Sequence, residues 1–241
     1  MLTDYKILNS CFMLPTSSIS QCIGIIMDGN RRWAKAKGLP TFEGHRRGYE
    51  KLKEVLSWTK EAKISCLIIY GFSTENWKRS TEEVSYLLDL FRLVFTKELE
   101  FFKKENRKIV CVGERERFPE DLRKFMEKAE RETSNLSGTT LVLALSYGGR
   151  SEIVSAVKKI VTAGVKDITK ENFAKFLWTK DLPDPDLIIR TGGEKRLSGF
   201  LPWQSVYSEL FFTDTQWPDF SKEEFDGVIS EFSCRKRNFG K

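Results

Sequence analysis

An α/β domain built on a mostly parallel sheet is the fold class this sequence predicts, on three observations. Short apolar runs alternate with longer amphipathic stretches. Most of the short runs are apolar without interruption, as in strands covered on both faces. Nearly all of them end in polar residues unsuited to a core. Ligands of open α/β sheets bind beyond these carboxyl ends of the strands.

The first strand is expected at IGIIM, residues 23–27, and runs into Asp28-Gly29-Asn30-Arg31-Arg32. A helix over 44–62 leads to a second strand, CLIIYGF at 66–72, which ends in Ser73-Thr74-Glu75-Asn76-Trp77-Lys78-Arg79. Ser80 or Thr81 can cap a helix over 81–105, with Glu82 and Glu83 in the first turn, where acids suit the helix dipole. A strand at 109–113, a helix at 119–134 and a strand at 140–147 follow, the last ending in Ser146-Tyr147-Gly148-Gly149-Arg150. Helices over 150–163 and 171–178 precede the strand DLIIR at 186–190, which opens into Arg190-Thr191-Gly192-Gly193-Glu194-Lys195-Arg196-Leu197-Ser198. The last strand, ELFFT at 209–213, begins with Glu209, and a helix over 221–232 closes the pattern. The 81–105 helix carries a stripe of Val84, Leu87, Leu88, Phe91, Phe95 and Leu99 and further apolar residues beside it. A helix that apolar needs cover on two sides. A core sandwich, a dimer face and the wall of a hydrophobic tunnel all satisfy that need.

The length of 241 residues suits one large domain, placed at 22–241, with residues 1–21 as a mobile extension or a loose first helix. Hydrophobic residues make up 40% of the chain, ample for a core, and 18 Phe and 6 Trp make it aromatic-rich. A net charge of +6 favours anionic partners without choosing among them. The 5 Cys are odd in number and form no CxxC, which reads as reduced thiols in a cytoplasmic protein. With 1 His, a His/Cys zinc site is excluded as a working reading. No run is long enough to span a membrane, and the N-terminus lacks the basic and apolar regions of a signal peptide. Contact with a membrane is therefore expected to be peripheral, at its inner face.

If the sheet is parallel, the strand-end loops converge on one rim holding guanidiniums, glycines and a few carboxylates. Arginine forks match phosphate oxygens bidentately. An Asp among them makes sense if a divalent cation sits between it and a polyphosphate, because Mg²⁺ uses one or two carboxylates plus substrate phosphates. Asp28 then holds the metal, and the glycine and arginines after it hold a diphosphate. Taken alone, DGN is also a common turn and an Arg pair a solvated surface; the convergence of several such loops argues for the site. Between Arg31 and Lys53 stand 8 basic residues against 2 glutamates. No helix-turn-helix, RNP-like motif or zinc finger accompanies them, so nucleic acid is not the expected partner.

IIMDGNRRWAK, GHRRG, YGFSTENWKR, SYGGR and DLIIRTGGEKRLSGFLPWQSVYSELFFTD resemble, in order, the signature blocks of the cis-prenyltransferases. That family includes the undecaprenyl and dehydrodolichyl diphosphate synthases, and the blocks look closest to the bacterial undecaprenyl type. The resemblance runs from about residue 22 to the C-terminus. It implies a six-stranded, mostly parallel sheet flanked by helices, with a hydrophobic tunnel, in a homodimer. It implies sequential condensation of isopentenyl diphosphate onto an allylic diphosphate, commonly farnesyl diphosphate, with Mg²⁺. The product expected is a long polyprenyl diphosphate such as the undecaprenyl lipid carrier of cell-wall precursors, with a medium- or short-chain product as the alternative. By motif, Asp28 assists diphosphate departure through the metal, which Glu209 shares. Gly29, Asn30, Arg31, Arg32 and His45 surround the allylic diphosphate. Arg190, Arg196 and Ser198 match the isopentenyl diphosphate site. Ser73, Glu75, Asn76, Trp77 and Arg79 match the block that orders both substrates, with Asn76 the candidate for proton removal. Trp33 and Phe72 are expected to bracket the allylic chain.

The sequence departs from the family's pattern in three places. Thr41 stands where the family usually has Arg, four residues before the histidine, which leaves Arg46 or Arg47 as replacements. Arg31 follows DGN where glycine is common. Asn238 falls where the family's C-terminal Arg reaches the neighbouring subunit, and Arg237 is the nearest substitute. A non-catalytic partner subunit of the same fold would lack Asp28 or the substrate arginines, and this chain keeps them.

Overall fold

The structure, a computed structural model, describes residues 21–235. The extension expected ahead of residue 21, and Arg237 and Asn238, lie outside the described residues. The elements run β1 (Cys22–Ile26), α1 (Asn30–Ala36), α2 (Thr41–Glu61), β2 (Cys66–Ser73), α3 (Thr81–Thr96), α4 (Leu99–Lys104), β3 (Lys108–Val112), α5 (Glu120–Thr133), β4 (Thr140–Tyr147), α6 (Gly149–Thr162), α7 (Lys170–Ala174), β5 (Leu187–Arg190), β6 (Glu209–Phe212) and α8 (Lys222–Cys234). The strands form one sheet in the order β3-β4-β2-β1-β5-β6. Every pairing is parallel.

The continuously apolar strands divide their residues between two faces, as the two-residue period of a strand demands. Ile23, Ile25, Leu67, Ile69, Leu141 and Leu143 join the larger core, beneath helices α2, α3, α5 and α8. Cys22, Ile26, Cys66, Ile68, Val142 and Ile188 point the other way, where Tyr147, Phe200 and Leu201 cover them. Strands β1, β2, β4 and β5 are therefore buried on both sides over most of their length, which is why an alternating pattern is missing from them. Among the described residues no helix is long and apolar enough to cross a membrane.

Beyond shifts of one to three residues at element ends, three stretches differ from expectation. The DGNRRWAK stretch, read as a turn with an arginine pair, carries the short helix α1. The 81–105 helix is two helices, α3 and α4. Near the end of α3 the Thr96 hydroxyl bonds back to the Arg92 carbonyl at 2.6 Å, a contact that bends helices, and Glu98 N–H reaches Leu93 O at 3.2 Å instead of continuing the ladder. The helix expected over 171–178 stops at Ala174, because Phe176 and Leu177 turn on three-residue backbone bonds.

Helix α1 lies directly on the first half of α2, and glycine makes the approach possible. A Cβ at Gly44 would sit 2.1 Å from the Asn30 carbonyl oxygen, and one at Gly48 would sit 2.3 Å from Asn30 Oδ1. This crossing sets Asn30 and His45 on the same wall. Gly44→Ala is expected to force the two helices apart and to cost about 1–3 kcal/mol, as overpacking does. A thermal melt should then drop by roughly 2–10 °C at this chain length; an unchanged melt would show that the crossing has slack.

Candidate active site

Asp28 follows the central strand β1, and its backbone is anchored on two sides. Its carbonyl accepts the Thr191 hydroxyl at 2.8 Å and the Trp217 N–H at 3.0 Å. Its carboxylate meets two guanidiniums: Arg190 Nη2 donates to Oδ2 at 2.8 Å, and Arg32 Nη2 lies 3.2 Å from Oδ1. Burial by itself would raise the Asp28 pKa, but the Arg190 hydrogen bond and charge, then those of Arg32, outweigh it and hold the carboxyl below its ordinary value. Arg190 also donates to Ser198 Oγ at 2.8 Å and to the Arg196 carbonyl. Asp28, Arg32, Arg190 and Ser198 are thus one cluster. The Arg196 side chain turns outward to Glu194.

A second cluster faces the first across α1. His45 Nε2 lies 3.0 Å from Glu83 Oε1, and Arg79 Nη1 donates to the same oxygen at 2.9 Å. Arg31 Nη1 comes within 3.6 Å of the other Glu83 oxygen. Burial lowers the His45 pKa; the Glu83 hydrogen bond opposes this, and the nearby Arg79 charge reinforces it. The imidazole is therefore neutral at pH 7. Glu83 was legible only as a first-turn acid of α3; its role as the carboxylate shared by Arg31, Arg79 and the His45 imidazole depends on α2 and α3 coming together.

An open cleft of about 710 Å³ joins the clusters, lined by Asp28, Gly29, Asn30, Arg31, Arg32, His45 and Arg79 among others. Gly29, at φ 108°, supplies the left-handed turn that starts α1. Beneath the mouth at Met27, Asn30 and His45 lies an apolar cavity of about 80 Å³ between α2, α3 and the sheet. Leu87, Phe91 and Val94 of α3 form one wall of it, so the greasy helix lines a hydrophobic chamber. Asn30 Oδ1 is buried at this mouth with no hydrogen-bond partner among the described residues.

Several expected site residues stand elsewhere. Glu209 opens β6 opposite Leu187, whereas Arg190 pairs with Phe212. Three residues along a strand put Glu209 about 10 Å back from the rim, where it binds Arg235 at 2.6 Å. This chain does not bring it to Asp28. Among the described residues no group of three or more His, Cys, Asp or Glu could hold a metal. Phe72 and Trp33 do not line the apolar cavity. Phe72 packs into a cluster with Trp77, Phe91 and Phe118, and Trp33 sits on α1 with Lys37 above its ring. Asn76 caps a short 3-10 helix over 74–78, its Oδ1 accepting Ser73 N–H at 3.0 Å. Trp77 Nε1 donates to Ser146 Oγ at 2.9 Å, and Glu75 lines a neighbouring pocket with Arg79. Thr41 lines the cleft as expected of its position, but Arg46 pairs with Glu43 and Arg47 lies near Glu54, and neither lines the cleft to replace it.

The loop that presents Ser198 rests on a buried acid that the sequence did not single out. Glu152, fully buried, accepts from Tyr147 Oη at 2.5 Å, Thr179 Oγ1 at 2.9 Å and Gln204 Nε2 at 3.0 Å. These bonds tie the start of α6 to the chain that follows Ser198.

Residues 26–240 match the family model described as "Putative undecaprenyl diphosphate synthase". The chain belongs to this prenyltransferase family. It is 47% identical over 226 residues to an isoprenyl transferase of Thermotoga maritima, an alignment covering 92% of this chain and 97% of that protein. It is 45% identical over 235 residues to the tritrans,polycis-undecaprenyl-diphosphate synthase (geranylgeranyl-diphosphate specific) of Thermococcus kodakarensis, covering 94% of this chain and 89% of that one. Lavandulyl diphosphate synthase from Lavandula x intermedia, solved with dimethylallyl diphosphate, has the same fold at a TM-score of 0.87 and 32% identity, over 93% of this chain and 99% of that one. The protein is an enzyme, a cis-prenyltransferase that condenses isopentenyl diphosphate onto an allylic diphosphate.

His45 is the 1 histidine of the chain, so its imidazole protons are assignable without mutagenesis. A proton NMR titration is expected to give a midpoint below the ordinary value of about 6.5. Because the unfolded chain protonates first as pH falls, His45 should make stability decline through the window below about 6.5, and His45→Gln should flatten that slope. A midpoint above 6.5 would mean that Glu83 outweighs burial.

Proposed function

We propose that the two cationic clusters divide the substrates and that the product is a short- to medium-chain cis-prenyl diphosphate. Arg31, His45 and Arg79, with Gly29 and Asn30 between them, take the allylic diphosphate. Arg190, Arg196 and Ser198 take the diphosphate of isopentenyl diphosphate. Asp28 and Arg32 lie between the two. The supporting observation is that one open cleft is lined by Asp28 and Arg32 of the first cluster and by Arg31, His45 and Arg79 of the second, and shares Met27, Asn30 and His45 with the apolar cavity.

In the reaction the allylic C–O bond breaks and its electron pair leaves with the diphosphate. The isopentenyl double bond supplies the pair that forms the new C–C bond, and a proton is lost from the adjacent carbon. Arg31 and Arg79 are placed to stabilise the departing anion, and neutral His45 to hydrogen-bond it. The apolar wall keeps water from the developing positive charge. Asp28, a hard oxygen donor in a diphosphate cleft, fits Mg²⁺ held jointly with substrate oxygens. Such an ion would neutralise charge on the departing diphosphate. Residues 22–241 act as one catalytic unit on this reading.

The cavity supports the shorter product. It is small, about 80 Å³, and is closed in by Leu87, Leu90, Phe91 and Val94 of α3. The Thermococcus relative's name favours the undecaprenyl reading instead. A homodimer is part of the proposal: Val154, Val157 and Val161 stand exposed along α6, and Leu210 along the edge strand β6, as a face for a second copy.

Incubation with farnesyl diphosphate and labelled isopentenyl diphosphate is expected to give a Mg²⁺-dependent ladder that stops well short of undecaprenyl length. A ladder reaching undecaprenyl length would reject the short-product reading and leave the enzyme class intact. Asp28→Asn should lower kcat by about 10²–10³-fold, the scale for losing one group that stabilises the transition state. Phe91, which lines the cavity, should lengthen the product when changed to Ala. Phe95 is buried and does not line the cavity, and its Ala variant should leave product length unchanged. Equal effects of the two would remove Phe91 from the chamber wall.

A further inference from the structure

We propose that Arg32 and Arg190 form a latch across Asp28 that keeps divalent cations off the ligand-free protein until a diphosphate draws the guanidiniums away. The proposal rests on the reading of Asp28 as the metal-binding carboxylate. Both of its oxygens already have a cationic partner, Arg190 at 2.8 Å and Arg32 at 3.2 Å. One carboxylate between two guanidiniums is a local charge of +1, and a divalent ion approaching it meets repulsion as well as occupied oxygens. Glu209, the acid expected to share the metal, is paired with Arg235 at the other end of its strand, and among the described residues no group of three or more His, Cys, Asp or Glu forms at Asp28.

The two halves of the latch differ. Arg190 is buried and tied to Ser198 Oγ and the Arg196 carbonyl as well as to Asp28, and its Nε is buried without a partner among the described residues. Arg32 projects from α1 with its side chain 47% exposed and packs over Gly192, where a Cβ would come within 2.7 Å of Nη2. Arg190 is the fixed half and Arg32 the movable one.

A diphosphate is the ligand that opens such a latch. Its oxygens compete for guanidinium forks bidentately. It reverses the local charge, and its own oxygens complete the coordination that one carboxylate cannot. Cation and diphosphate therefore bind with positive coupling, and by linkage each raises the affinity of the other by the same factor.

Mn²⁺ is the probe, measured as metal retained by the full-length protein on ultrafiltration and by its electron spin resonance signal, with and without inorganic diphosphate. Retention by Asp28→Asn under the same conditions is subtracted, which removes metal carried by diphosphate alone. The wild type is expected to retain Mn²⁺ at least tenfold more tightly with diphosphate than without. Arg32→Ala is expected to bind Mn²⁺ several-fold more tightly than wild type in the absence of diphosphate, while binding diphosphate more weakly. A melt of each variant reports that it is folded, and Arg32→Gln repeats the test with a polar side chain. Equal Mn²⁺ affinity with and without diphosphate, above that of Asp28→Asn, would overturn the latch and leave Asp28 as a metal ligand. No difference between wild type and Asp28→Asn in any condition would overturn the metal reading and the latch with it.

Discussion

Ile26 pairs with Arg190 across the parallel ladder of β1 and β5, and from that register the Arg190 guanidinium reaches the carboxylate two residues beyond Ile26. The rest of the rim is arranged around this contact. Arg190 holds Ser198 and the Arg196 carbonyl, so the long loop after β5 closes back onto the end of β1. The backbone of Asp28 is in turn pinned by Thr191 and Trp217. A one-residue slip between β1 and β5 would turn Arg190 to the opposite face of the sheet and dissolve the cluster.

Charge is managed at this rim by sharing. Glu83 meets the guanidiniums of Arg31 and Arg79 beside the neutral His45, and Asp28 meets those of Arg32 and Arg190, so each carboxylate is outnumbered. The surplus of positive charge is what an approaching diphosphate encounters, while the acids keep the guanidiniums aimed into the cleft. The same arrangement lets His45 stay neutral: buried beside cations, it is held short of protonation even with a carboxylate at hydrogen-bond distance. Below the rim the chemistry changes to hydrocarbon within one helical turn of α2, where Gly48, Tyr49 and Leu52 follow His45 along the cavity.

The order of strands and helices was legible because short, continuously apolar runs between amphipathic stretches are what a parallel sheet covered on both faces requires. The rim was legible because polar residues repeatedly terminate those runs. The break of 81–105 into α3 and α4 was not, since it turns on a Thr96 hydroxyl that bonds to its own helix. Nor was α1, whose seven residues are stabilised by lying on Gly44 and Gly48 rather than by their own periodicity. Phe72 and Trp33, expected at the substrate chain by motif, do not line the cavity: Phe72 packs behind Phe91 of its wall, and Trp33 sits on α1 beneath Lys37.

The sequence by itself determined the fold class, the family and the membership of the rim, because hydrophobic periodicity and motif order are properties of neighbouring residues along one chain. It named Asp28, His45, Arg190 and Ser198 without any knowledge of distance. Only the tertiary structure decided which of them meet. Glu83 joined the site and Glu209 was carried away from Asp28 because helix crossing and strand register act between residues far apart in the chain. The width of the cavity was likewise decided there, since it depends on how closely α3 lies on the sheet, and no single stretch of sequence carries that spacing.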